Sequence, residues 1–131
     1  MRTRQALLIV LLTGTAIFSY GCVAAAVGIG AAGAAGTIAY VKGDLEAIEA
    51  EELDVVYEAT VRAVKDLELR VISKTKDALT ATVYARDAED KKVTITLKRT
   101  TEQTTKLSIR IGTFGNETKS RLIYQKIHDY L

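Results

Sequence analysis

Cys22 is the only cysteine in the 131-residue chain, and a lone thiol has four chemical uses: nucleophile, metal ligand, disulfide partner or acceptor of a covalent modification. The first three need companions. The chain has one histidine, His128, close to its C-terminus, so neither a Cys–His pair steadied by a third group nor a zinc site of several Cys and His ligands can be assembled. His128 reads as a surface or helix-end residue. Asp87, Glu89 and Asp90 crowd together, without the glycine and later glutamate of a calcium loop, and read as a solvated hairpin tip. Gly28-Ile29-Gly30-Ala31-Ala32-Gly33 matches G-x-G-x-x-G, with Asp54 at a suitable distance beyond it. That fingerprint works only between a strand and a helix of a βαβ unit, whereas here an apolar N-terminal run precedes it. Asn116-Glu117-Thr118 spells a glycosylation sequon. No catalytic residue, metal site, cofactor or bound nucleotide is expected, and the chain reads as a non-enzyme.

What remains for Cys22 is modification. Arg2 and Arg4 are followed by the apolar run Ala6–Phe18 and by Ser19-Tyr20-Gly21, the charged, apolar and cleavage regions of a secretory signal, too short to span a bilayer permanently. Ser19-Tyr20-Gly21-Cys22 resembles a bacterial lipobox. In such a motif the thiol takes a diacylglyceryl group, the leader is cut before it and the new amine is acylated, with palmitate a typical chain. Gly21 supplies the small residue before the cut, while Ser19 and Tyr20 depart from the usual leucine and small residue. The expected organisation is a signal peptide over 1–21, a lipidated cysteine with an Ala/Gly-rich tether over 22–37, and one domain over 38–131. Each buried methylene contributes about 0.8 kcal/mol, so several acyl chains on Cys22 hold a protein on a membrane almost irreversibly.

The run from Val23 to Val41 carries no charge and has glycines at 28, 30, 33 and 36. Its length meets the criterion for a membrane helix, and small residues at three- and four-residue spacing suit close helix packing in lipid. Glycine and alanine give little transfer free energy, and the glycines weaken an isolated helix. Two readings therefore stand: a tether, or a membrane-inserted oligomer built on 23–41.

Setting aside Arg2 and Arg4, the 18 bases fall to 16, against 16 acids. A neutral domain is a poor nucleic-acid binder, because phosphate neutralisation needs a basic excess. Between 43 and 68 the chain holds nine acids and two bases, and 69–131 holds 13 bases and seven acids.

Two periods organise the domain. Leu53, Val56, Tyr57, Thr60, Val64 and Leu67 recur at three- and four-residue steps, predicting a helix from about Glu51 to Leu67. Acids at 49, 51, 52 and 54 suit its N-terminal dipole, and Glu58–Arg62 and Arg62–Asp66 are spaced to pair along it. Beyond it the period is two: Leu69 and Val71; Leu79, Ala81, Val83 and Ala85; Val93, Ile95 and Leu97; Leu107, Ile109 and Ile111. These are four half-buried strands with turns at 76–78, 87–91 and 101–105, pairing as antiparallel hairpins. A fifth strand over 38–50, bulged at Gly43, precedes the helix. Asn116 is placed to cap a second helix, with Ile123, Ile127, Tyr130 and Leu131 as its stripe and Leu122 at the border. The expected fold is α+β in two layers: a five-stranded antiparallel sheet with both helices on one face, in the order β-α-β-β-β-β-α.

The other face is then wet. Its alternating parity carries Arg70, Lys74, Arg86, Lys98 and Arg110 among Thr80, Thr82, Tyr84, Thr94, Thr96 and Ser108, with Asp44 and Glu46 its only acids. Such a face is a candidate for binding anionic envelope polymers or a partner protein, although threonine and long basic side chains also suit any solvated strand.

Gly21-Cys22 with the Ala/Gly-rich segment, Tyr40-Val41-Lys42-Gly43-Asp44-Leu45, Tyr57-Glu58-Ala59-Thr60, Lys74-Thr75-Lys76-Asp77-Ala78 and Ile111-Gly112-Thr113-Phe114-Gly115 make the chain similar, over almost its full length, to a family of small bacterial lipoproteins of unknown function. The resemblance implies attachment to a membrane of the cell envelope through Cys22 and supplies no activity. Val23 follows the cysteine where many such proteins carry an aspartate that keeps them at the inner membrane. By resemblance, then, the expected place is the outer membrane, with the domain in the periplasm.

Overall fold

Leu45, Ile109, Ile95 and Val83 form one cross-strand row, and Ala47, Leu107, Leu97 and Ala81 form the next, in a computed structural model that describes residues 36–131. Both rows are fully or almost fully buried. Each belongs to the inward parity of its strand, so alternation in the sequence translates directly into one apolar sheet face.

The strands are β1 (Ile38–Val41), β2 (Asp44–Glu49), β3 (Arg70–Lys76), β4 (Thr80–Arg86), β5 (Lys92–Thr101) and β6 (Thr104–Ile111), with helix α1 (Leu53–Asp66) after β2 and α2 (Glu117–His128) after β6. They form one open antiparallel sheet in the order β1-β2-β6-β5-β4-β3. The fold is α+β, with six strands where five were expected, and the chain order becomes β-β-α-β-β-β-β-α. The extra strand comes from Gly43. The expected bulge is a two-residue turn: Lys42 and Gly43 have φ of 52° and 92°, the signature of a type I′ hairpin, and Val41 and Asp44 close it. Ile38–Val41 thus belong to the sheet and are removed from the uncharged 23–41 segment. A helix over what is left, 23–37, would be roughly 22 Å long at ~1.5 Å per residue, short of a ~30 Å hydrocarbon core. The expected leader, Cys22 and nearly all of the expected tether lie outside the described residues.

Both helices lie on the apolar face. α1 packs on β3, β4 and β5, α2 on β6 and β2, and the two helices touch. α1 buries Leu53, Val56, Ala59, Thr60, Ala63 and Val64, and the Thr60 hydroxyl donates to the Val56 carbonyl at 2.8 Å, so its polarity is satisfied within the core. In α2, Ile123, Tyr124 and Ile127 are buried while Leu122 points outward. The Asn116 side chain accepts from the Lys119 N–H at 3.0 Å, the expected cap. Asp66 does not pair with Arg62; it accepts from the Tyr130 hydroxyl and lies 3.6 Å from Lys126, joining α1 to the C-terminal end.

At the far edge β3 departs from simple alternation. Val71 pairs with Ala85 and Ser73 with Tyr84, so Ile72 is an extra residue in a bulge. The strand overhangs the helices and all seven of its residues are exposed, including Val71, expected to be half-buried. Leu79 lies in the turn that follows β3, 63% exposed. An edge strand carrying Arg70, Lys74 and Lys76 and interrupted by a bulge is a poor template for edge-to-edge pairing.

Where α1 ends, the Leu69 N–H donates to the Val64 carbonyl and the Glu68 N–H to the Lys65 carbonyl, each at 3.0 Å, the two bonds of a Schellman motif. Its left-handed position is held by Glu68 at φ 55°, where a side chain is costly and glycine is not. Glu68→Gly is expected to raise stability by about 1 kcal/mol and the melting temperature by roughly 4–8 °C; an unchanged thermal melt would show that no strain is stored there.

Candidate functional site

The β1–β2 turn, the β4–β5 loop and the β6–α2 loop meet at one end of the sheet, because Asp44 pairs with Arg110, Thr94 with Arg110 and Arg86 with Lys92. Arg110 fastens the first of these to the last. Its Nη1 donates to the Lys42 carbonyl at 3.1 Å and lies 3.1 Å from the Asp44 carboxylate, while Nη2 donates to the Thr113 carbonyl at 2.7 Å. One planar guanidinium therefore serves a turn, a strand and a loop, a use of several donors that a lysine could not copy.

Beneath it two glycine backbones touch. A Cβ on Gly115, at φ 81°, would stand 2.2 Å from the Gly43 carbonyl oxygen and 2.5 Å from the Tyr40 hydroxyl; one on Gly43 would stand 2.6 Å from the Phe114 carbonyl oxygen. Neither site has room for a side chain. The β6–α2 loop is thus clamped by backbone contact and by Arg110, and the residue it holds out is Phe114, 91% exposed. Beside the loop is an open cleft of about 600 Å³ lined by Lys91, Lys92, Thr94, Arg110 and Asn116. The ion pairs of the described residues engage Arg70, Lys76, Arg86, Lys106, Arg110, Lys119, Arg121, Lys126 and His128, and at this end of the sheet leave Lys42, Lys91 and Lys92 without a carboxylate, as they leave Arg62, Lys65, Lys74, Lys98 and Arg99 elsewhere. Lys92 lies over the Tyr84 ring, 4.9 Å from its centroid.

The basic face expected from parity is present in part. Arg70, Arg86, Lys98 and Arg110 occupy the open side of the sheet, but Lys74 pairs with Val83 and so shares the helix side, because the Ile72 bulge reverses the parity of β3 beyond it. Most of the cations that remain are already engaged. Arg70 and Arg86 sit directly opposite each other, an arrangement of like charges that Asp90 relieves: its carboxylate meets Arg70 at 2.6 Å and Arg86 at 3.4 Å, and its carbonyl accepts from Arg86 at 2.7 Å. Lys106 is paired with Glu46 at 2.9 Å. Lys98 is the one residue of the expected set on this face that enters no ion pair among the described residues. Three further lysines outside any ion pair of the described residues lie near Phe114: Lys42 and Lys91 in turns, where strand parity gives no information, and Lys92 at the first position of β5. Gly-Thr-Phe-Gly carried a turn signal in its two glycines, but nothing in the sequence gave the exposure of the ring between them.

The acidic tip Asp87–Asp90 is structured rather than simply solvated. Asp87 accepts from the Glu89 and Lys91 N–H groups at 3.0 and 2.8 Å, and Lys119 of α2 bridges it, at 2.8 Å, to Glu89. At the opposite end of the sheet Glu49 is only 4% exposed. One of its carboxylate oxygens lies 3.4 Å from His128 Nδ1, and the other has no hydrogen-bond partner. Burial first, and the neighbouring Glu49 carboxylate second, push the Tyr124 phenol above its ordinary value, although no hydrogen bond closes on that second oxygen. His128 stacks on Tyr124 with ring centroids 5.7 Å apart. Among the described residues no group of three or more His, Cys, Asp or Glu could hold a metal ion, and no helix is long and apolar enough to cross a membrane.

Residues 5–130 match the family described as "Protein of unknown function (DUF3568)". The chain belongs to this family. No curated protein matches it. The match joins the N-terminal segment with Cys22 to the domain in one family unit, and the family's description assigns no activity, so a candidate site has to be argued from geometry.

Gly112 also has positive φ, 67°, but a Cβ there would meet nothing within 4 Å. Gly112→Ala is therefore expected to cost only the conformational penalty, about 1 kcal/mol, and Gly115→Ala clearly more, since two backbones must part. Equal urea midpoints for the two variants would contradict the clamp.

Several carboxyls are held below their ordinary value of 3.8: Asp77 by the Leu79 and Thr80 N–H groups and the Thr80 hydroxyl, Asp54 by Lys76, and Asp87, where burial is the largest single effect and pushes upward, by the combined pull of Lys119, the Lys91 N–H and Glu89. Because they ionise more readily folded than unfolded, the stability they add is complete above the unfolded value near 3.8 and is lost as pH falls through their lower folded values. Denaturation midpoints should hold steady down to about pH 5 and drop below about pH 4. Asp77→Asn should make that drop shallower, and an identical acid profile would discount the assignment.

Proposed function

We propose that the protein is a lipid-anchored, non-enzymatic binding module of a bacterial cell envelope, held on a membrane through Cys22 with its α+β domain in the periplasm. The anchoring half rests on the sequence, where a lone cysteine directly follows Gly21 at the end of a basic and then apolar leader. By resemblance, Val23 points to the outer membrane. The binding half rests on Phe114: a ring 91% exposed, on a loop whose backbone is fixed on both sides, is an ordered apolar contact awaiting a surface.

Two competing readings weigh less. A membrane oligomer built on 23–41 has to give up Ile38–Val41 to β1, which leaves a segment short for crossing. Carriage of an anionic ligand on the sheet face has Arg70, Arg86 and Arg110 already held by Asp90 and Asp44. The domain's acid and base groups, in turn, are arranged as ion pairs between elements, and support a structural use of those side chains.

Anchoring is tested in growing cells with labelled fatty acid. Cys22→Ser should abolish incorporation and either release the domain or leave an uncleaved precursor. Label retained by that variant would refute lipidation at Cys22.

A further inference from the structure

We propose that the Phe114 tip is a lipid-contact surface: the ring enters the interfacial layer of a bilayer containing anionic phospholipid, while Lys42, Lys91 and Lys92 meet headgroup phosphates around it. This goes beyond anchoring through Cys22 and does not require it. Where Cys22 is acylated, the tip is a second attachment that fixes how the domain lies on the membrane.

Four observations carry the proposal. Phe114 is the most exposed large apolar side chain among the described residues, at 91%. The backbone of its loop is held in place, because Gly43 and Gly115 are in backbone contact and Arg110 holds the Lys42 and Thr113 carbonyls; little backbone order is left to impose on binding. Lys42, Lys91 and Lys92 beside it are exposed and meet no carboxylate among the described residues, as is also true of Lys65, Lys74 and Lys98 elsewhere on the domain, and Lys91, Lys92 and Thr94 line the cleft beside the loop. An aromatic ring flanked by lysines is interfacial chemistry: the ring favours the headgroup layer, and each lysine near an anionic surface adds attraction. Protein interface cores are by contrast depleted in lysine and surround an aromatic anchor with other apolar groups, whereas Phe114 stands between Thr113 and Gly115. The geometry also permits it. The chain joins the sheet beside Ile48, where the Gly36 N–H meets the Ile48 carbonyl, so the tip is about 20 Å away along the six residues of β2. The segment from Cys22 to Gly36, at ~3.3–3.6 Å per residue, can span more than twice that.

The chain has no tryptophan, so Phe114→Trp provides a single fluorophore at the tip. Full-length protein carrying this substitution is reconstituted into vesicles of phosphatidylcholine alone and of phosphatidylcholine with phosphatidylglycerol. With phosphatidylglycerol the emission should shift to the blue and be quenched by brominated acyl chains. Adding Lys42→Glu, Lys91→Glu and Lys92→Glu together should weaken insertion by roughly a hundredfold, with an unchanged circular dichroism spectrum. Water-like emission in both vesicles would overturn the proposal, as would a blue shift that needs no anionic lipid or survives the charge reversal. A shift in lipid-free detergent solution that grows with protein concentration would assign the tip to a second copy. One that appears only on adding an envelope protein extract would assign it to a protein partner. Both of those outcomes also reject the proposal. The mass of Cys22 in the same sample keeps the two ideas apart: tip insertion without acylation removes only the anchor, and acylated Cys22 with a water-like tip removes only the lipid contact.

Discussion

Arg110 on β6 bonds to the carbonyl of Lys42, 68 positions earlier in the chain, and to the Asp44 carboxylate beside it. That contact marks the end of the β2–β6 ladder, the one long-range strand pairing in the sheet. All other neighbouring strands are joined by short turns and pair locally, at low entropic cost. Without β2 on β6, the β1–β2 hairpin would have no sheet to join, α2 would lose half the surface it covers, and Gly43 would not meet Gly115. Two hydrophobic rows running through β2, β6, β5 and β4 drive this pairing, since burial of apolar area is the dominant favourable contribution to folding. Arg110 then sets the register at the exposed end, where apolar packing gives out.

Charge in this protein chiefly ties elements together. Lys76 reaches Asp54 at 2.6 Å and lies over Tyr57, joining β3 to α1. Lys119 joins α2 to the β4–β5 loop through Asp87 and Glu89, and Tyr130 with Lys126 joins the C-terminal end to α1 through Asp66. Most of these partners are substantially exposed, so each pair adds little on its own; their value lies in fixing the relative position of layers already held by the core. The segregation of acids into 43–68 and bases into 69–131 becomes intelligible here, because the two regions face each other across several of these contacts.

The two ends of the sheet differ in character. At the end where the chain joins the sheet, polarity is turned inward: Glu49 is buried against His128 and Tyr124, and Thr105 donates to the Glu51 carbonyl at 2.9 Å. At the other end polarity and one aromatic ring are turned outward on a clamped loop. A buried carboxylate with one oxygen unpaired is expensive.

The sequence alone determined much of the architecture. Period-two alternation in β4, β5 and β6 and the three- and four-residue spacing in α1 are local consequences of which side of an element is dry, and Asn116 and the turns at 77–79 and 87–91 are set by local hydrogen-bonding chemistry. It also isolated Cys22 as the chain's only thiol. The tertiary structure decided what depends on distant neighbours. It made a hairpin of 38–49, because a turn at Lys42–Gly43 differs from a bulge only in where the following strand finds its partner. It moved Lys74 to the helix side, because a single inserted residue in β3 reverses every side chain after it. And it determined which cations are free, since a lysine or arginine is neutralised by whatever carboxylate folding places within reach. That is why the face that looked basic in sequence is largely paired, and why the exposed aromatic ring and its lysines came into view only when two glycines 72 positions apart were seen to touch.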